Sequence, residues 1–160
     1  MDDLAALVGG KDKVMLGIEA ADWEAALRMG AERLRDAGCV TEGYAEAVVA
    51  REHTYPTGLP TAGAGVALPH ADAEHVLEPG ICVLTLRRPV HFSVMGDPDE
   101  RVAVSVVFLL ALADARSQLR ALRLLAELVS DARRLARIAG AKDADAIVAA
   151  VAEGERAASN

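Results

Sequence analysis

RVAVSVVFLLALA, residues 101–113, decides the fold. Its apolar residues run on with little alternation and include four valines and a phenylalanine. That pattern fits a β-strand covered on both faces better than one with a wet side. GICVLTL, residues 80–86, reads the same way, and MGDPDE (95–100) between them carries the turn signals Gly96, Asp97 and Pro98. Working outward, GVALPH (65–70) reads as a short buried strand and DKVMLGIEA (12–20) as a first strand.

Helical spacing brackets these strands. In 21–40, Trp23, Ala26, Leu27, Ala31 and Leu34 recur on one face, with Asp22 as cap and Gly38 as stop. In 41–53, Thr41 is the expected cap, and Tyr44, Val48 and Val49 share a face. Residues 54–65, TYPTGLPTAGAG, read as a loop. In 117–131 the expected stripe is Leu119, Leu122, Ala126 and Val129. Two shorter helices follow, capped by Asp131 and Asp143 and ended by Gly140 and Gly154. The expected architecture is a single-domain α/β layered sandwich, a mixed β-sheet flanked by helices on both faces. It spans residues 1–154, and 155–160 form a frayed tail.

Composition narrows the function. Aromatics make up 3% of 160 residues, so the core is aliphatic. The net charge of −7 opposes the positive footprint that nucleic-acid binding requires. No apolar run nears the ~20 residues that span a bilayer, and the first residues lack a signal-peptide pattern. A cytoplasmic protein without membrane insertion is expected. Cys39 and Cys82 read as buried small hydrophobes. No CxxC or HExxH spacing, Walker loop, GxGxxG or GxSxG is present, so no metal or cofactor is expected.

The chemistry falls on His70. Pro69 holds the chain extended ahead of it, at a strand end, where α/β proteins place sites. A neutral imidazole nitrogen fixed there is a good nucleophile near pH 7. His75 lies five residues on, off the spacing of a helical metal pair. His53 and His91 read as surface residues. Arg51, at a helix end, suits either the helix dipole or an anion. Thr54, Thr57 and Thr61 are possible hydroxyl donors to that anion, and Asp72 and Glu74 read as a solvated acidic pair.

Together, RE (51–52), YPTGL (55–59) and GVALPH (65–70) resemble the signature of mannitol/fructose-type enzyme IIA domains of the bacterial phosphoenolpyruvate-dependent sugar phosphotransferase system. The resemblance continues through EHVLEPGICVLTLRRPVHF (74–92), GDP (96–98) and the 106–131 segment, covering roughly residues 5 to 152. YPTGL, PHADAEHV and MGDP look most like the galactitol branch.

The resemblance implies a phosphotransferase component without cofactors. His70 accepts a phosphoryl group, at Nε2, from the phosphocarrier protein HPr. It passes the group to a cysteine of a cognate enzyme IIB, which serves a membrane enzyme IIC. Arg51 is implied to stabilise the phosphoryl group. Where the family often has a second active-site histidine, ALADARSQL (111–119) offers Arg116. Arginine cannot exchange protons at ordinary pH, so Arg116 is expected to hold phosphate rather than help pass it on. An apolar ring of Leu59, Val66, Leu68 and Val76 is expected around a shallow site. Two alternatives are a regulatory module switched by phosphohistidine, of the nitrogen-regulatory type, and a structural domain that takes no phosphate.

Overall fold

Residues 81–86 of β4 (Gly80–Val94) are buried without a break, as are residues 106–111 of β5 (Asp97–Ala111). The two strands form one long antiparallel hairpin, with Ile81 opposite Leu110 and Phe92 opposite Val102. The hairpin reverses at Met95–Gly96, where Gly96 adopts a positive φ of 78°. Asp97 and Pro98 belong to β5 rather than to the turn. The hairpin tip is exposed, and a proline without an N–H is tolerated there.

The computed structural model describes residues 3–159, with side chains for residues 3–153. β1 (Val14–Ile18) pairs parallel with β4, and β3 (Gly65–Ala67) parallel with β5. β2 (Gly58–Leu59) pairs antiparallel with β3 and touches β4 at Val94, closing one end of the five-stranded mixed sheet. This strand lies in the stretch expected to be a loop; two residues are too few to show a period. Gly58 and Gly65 both sit at close approaches. A Cβ on Gly65 would strike the Ala103 carbonyl, and one on Gly58 would lie 2.6 Å from Ser93 O.

Alternate residues of the central strands feed two cores. Ile81, Val83, Val106, Phe108 and Leu110 pack with α1 (Leu4–Val8), α4 (Ala115–Val129), α5 (Ala132–Ala139) and α6 (Ala144–Ser159). Cys82, Leu84, Val107 and Leu109 pack with α2 (Trp23–Asp36) and α3 (Tyr44–Thr54). Both faces of the sheet are covered, as the unbroken apolar runs require.

Most helix ends follow the sequence. Asp22 accepts from Ala25 N–H, Asp131 from Arg134 N–H and Asp143 from Ala146 N–H. Gly38 leaves α2 at φ 81°, and Gly140 caps α5. Three expectations fail. Thr41 does not cap α3; the helix follows Gly43 with no side-chain cap, and Thr41 N–H is spent on the His75 carbonyl at 3.0 Å. The buried face of α4 is Ala121, Leu125 and Leu128, leaving Leu119 and Ala126 exposed. Gly154 does not end α6, which stays helical to Ser159 through the helix formers Glu155, Arg156, Ala157 and Ala158. Among the described residues no helix is long and apolar enough to cross a membrane.

Candidate active site

β3 does not finish at Ala67 in effect, because the next three residues stay attached to the sheet. Leu110 N–H donates to the Pro69 carbonyl at 2.9 Å, and His70 forms an isolated parallel bridge with Leu110. The buried Tyr44 hydroxyl donates to the Leu110 carbonyl at 2.6 Å, tying α3 to the same point. Pro69 therefore stands between two fixed residues and presents His70 half-buried at the strand end.

The imidazole is held by one hydrogen bond, between Nδ1 and the Leu68 carbonyl at 3.0 Å. A carbonyl only accepts, so Nδ1 carries the proton in the neutral ring and Nε2 keeps its lone pair. Burial pushes the His70 pKa below the ordinary histidine value, opposed by the Leu68 bond and reinforced by the Arg51 charge. The ring is neutral at pH 7, with Nε2 nucleophilic.

Arg51, in the last turn of α3, supplies that nearby charge. Its guanidinium carbon lies 5.2 Å from the Tyr55 ring centroid, and Nη1 is 3.9 Å from an Asp72 carboxylate oxygen. Its Nε is buried without a hydrogen-bond partner. This cation is stacked on an aromatic, loosely paired, and left with donor capacity. A phosphoryl group beside His70 would find charge and N–H donors there without breaking a strong bond.

Other sequence candidates find different employment. Thr57 O–H is spent on Glu52, Thr61 O–H on the Ala64 carbonyl, and Thr54 O–H points to the Ala50 carbonyl, so none is a free anion donor. Val66 and Leu68 are core residues, and Leu59 and Val76 pack against the core, so they form no exposed ring. The exposed apolar side chain beside Arg51 is Tyr55. Asp72 and Glu74 are largely solvated, as expected, with Asp72 facing Arg51 and Glu74 3.5 Å from His75 Nε2. The His75 ring lies against Gly43, and His53 packs edge-on to Trp23 at 4.7 Å. His91 is exposed on β4.

Arg116 is exposed in the first turn of α4, six positions after His70's partner Leu110. Its charge bears on Asp114, the α4 cap, whose carboxyl is held low mainly by bonds from Ser117. Among the described residues no hydrogen bond or ion pair joins it to His70 or Arg51. No cluster of three or more metal-ligating side chains occurs among the described residues.

Residues 9–154 match the family described as "Phosphoenolpyruvate-dependent sugar phosphotransferase system, EIIA 2". The chain belongs to this family. Its members are phosphotransferase components that carry phosphohistidine, and the chain is a phosphocarrier of this kind. The galactitol-specific EIIA component of Escherichia coli K12 is 33% identical over 112 residues, 70% of this chain and 74% of that protein. The crystal structure of a putative IIA domain from Streptococcus pyogenes superposes with a TM-score of 0.80 at 26% identity, covering 97% of this chain and 99% of that one. The mannitol IIA of Escherichia coli, solved in complex with phosphorylated enzyme IIB, shares the fold at a TM-score of 0.72 and 24% identity, over 90% and 96% of the chains.

Proposed function

We propose that His70 is the phosphoryl acceptor of a cytoplasmic sugar phosphotransferase system of the galactitol type. HPr loads it, a cysteine of enzyme IIB unloads it, and a membrane enzyme IIC is served indirectly. The observation that carries this reading is the Nδ1–Leu68 hydrogen bond, which leaves Nε2 as the free nucleophile. In loading, the Nε2 lone pair forms the new N–P bond while the bond from phosphorus to the donor breaks. No proton need move. The ring becomes cationic with Nδ1–H in place, and its bond to the Leu68 carbonyl becomes charge-assisted and stronger. Transfer of this kind needs alignment and charge stabilisation more than acid–base chemistry. Arg51 supplies the charge, with its unpartnered Nε and loosely held Nη1.

The test is incubation with phosphoenolpyruvate, enzyme I and HPr, followed by a galactitol-type enzyme IIB. The expected product is an acid-labile phosphoprotein, absent in His70→Ala and discharged by the IIB. Absence of label on the wild type sinks the carrier role of His70. Label that no IIB can remove would point instead to regulation by phosphohistidine.

A further inference from the structure

We propose that Glu52 is a positioning residue for phosphoryl transfer at His70, acting through the Thr57 hydroxyl and the Leu68 main chain. The proposal rests on His70 being the acceptor. Glu52 follows Arg51 on α3, and successive helical side chains point ~100° apart. Arg51 is therefore half-exposed while Glu52 turns inward and is 5% exposed.

Thr57 donates twice to the Glu52 carboxylate, from its backbone N–H at 2.7 Å and its hydroxyl at 2.8 Å. A hydroxyl has one proton, so Thr57 Oγ1 then offers only lone pairs. One of these accepts Leu68 N–H at 3.1 Å. The Leu68 carbonyl accepts His70 Nδ1–H at 3.0 Å. Each direction is chemically forced. An ionised carboxylate only accepts, an amide N–H only donates, and a carbonyl only accepts. The Leu68 carbonyl alone selects the tautomer with Nε2 free. Glu52 acts by orienting Thr57, whose hydroxyl and carbonyl, the latter at 3.4 Å, both receive Leu68 N–H and hold the Leu68 main chain where its carbonyl meets Nδ1.

A neutral residue would not serve as well. Thr57 presents two donors, and both oxygens of a carboxylate receive them; a glutamine has one oxygen and would set its NH₂ against the second donor. Burying the charge is costly, and desolvation pushes the Glu52 pKa up to about 6. The carboxylate is nevertheless ionised at neutral pH, where it orients Thr57. On the far side, Leu110 N–H grips the Pro69 carbonyl. The dipeptide before His70 is therefore clamped from α3 and from β5.

Nitrogen NMR of the imidazole in the full chain at pH 7.5 reads this directly. Wild type should show the single Nδ1–H tautomer. Thr57→Val keeps the shape and removes the hydroxyl. It should loosen the Leu68 main chain, mix the tautomers and slow phosphorylation by HPr, by up to about 100-fold, the scale of a misplaced reacting group. Thr57→Ser should restore both. Glu52→Gln should move both readouts the same way as Thr57→Val, and it supplies the answer should that variant not fold. Folded variants that keep a single Nδ1–H tautomer and the wild-type rate overturn the proposal, whatever their melting temperatures. Should the wild type take no phosphate on His70, the carrier reading fails separately, and the tautomer still decides whether Glu52 positions the ring.

Discussion

Arg51 Nη1 stands 3.9 Å from the carboxylate of Asp72, two residues beyond His70. The pair is long, and the Asp72 side chain is 78% exposed. An incoming phosphoryl group must compete with Asp72 for the same guanidinium and also meets its negative charge. Asp72→Asn is expected to speed phosphorylation by HPr, by no more than about fivefold, since an exposed pair is worth about 0.2–1 kcal/mol. The gain should shrink with added salt. A slower variant would show that Asp72 holds Arg51 in position instead of competing for it.

Burial, and then the Arg51 charge, hold the His70 pKa below 6.5. Protonation removes the Nε2 lone pair, so the acid loss of phosphoryl uptake should be centred below the ordinary histidine pKa. Between the two pKa values the native state binds fewer protons than the unfolded chain, so stability also falls as pH drops through that window. Arg51→Gln removes a like charge and should raise the His70 pKa in an NMR titration. An unchanged pKa would place Arg51 too far away to steady a phosphoryl group.

Glu52 has the opposite linkage. Its pKa rises from 4.5 to about 6, so the native state binds more protons between these values and stability falls as pH rises through them. The full effect is on the order of 2 kcal/mol. Urea midpoints measured from pH 4.5 to 7 should show this decline in wild type and a flatter profile in Glu52→Gln. Parallel profiles would mean that Glu52 titrates as an exposed carboxyl.

Much of this was readable in the chain. Residues 101–113 show little alternation, and the strand is buried on both faces over residues 106–111, while Arg101 and Ala103 nearer the hairpin tip are exposed. His70 stood out because a proline fixed its approach at a strand end. Glu52 and Thr57 were not readable as a pair, since a helix-end glutamate and a threonine in a Gly/Pro-rich stretch both look solvated. Both are buried in the fold, where Leu68, just past β3, comes back to bond Thr57. The buried face of α4 departs from the expected stripe because leucines at 119, 122, 124, 125 and 128 permit more than one. Packing against α5, α1 and α6, not periodicity, selects Ala121, Leu125 and Leu128.

Arg116 is exposed at the start of α4, with no bond to His70. Its guanidinium keeps its charge and cannot give up a proton. Arg116→His should speed transfer from phosphorylated protein to enzyme IIB and leave the fold unaltered, because the side chain is not packed. Equal discharge rates in both proteins would remove Arg116 from the site.

Gly65 tests whether the strand positions the histidine. A Cβ there would run into the Ala103 carbonyl and sit 2.9 Å from Val102 Cγ2, in the pairing that carries β3 along β5. Backbone cannot yield as a flexible side chain can. Gly65→Ala should therefore cost about 3 kcal/mol, the upper end for overpacking. Gly63→Ala is the control, because a Cβ there meets nothing within 4 Å. It should be neutral or slightly stabilising, by about 0.4–1 kcal/mol, through the unfolded chain. The decisive readout is His70 itself. Displacing β3 should disturb the Pro69–Leu110 bond and with it the Nδ1–Leu68 bond, so Gly65→Ala should lose both the single tautomer and the phosphorylation rate. A destabilised Gly65→Ala that keeps both would show that residues 68–70 are held by Thr57 and Leu110 alone.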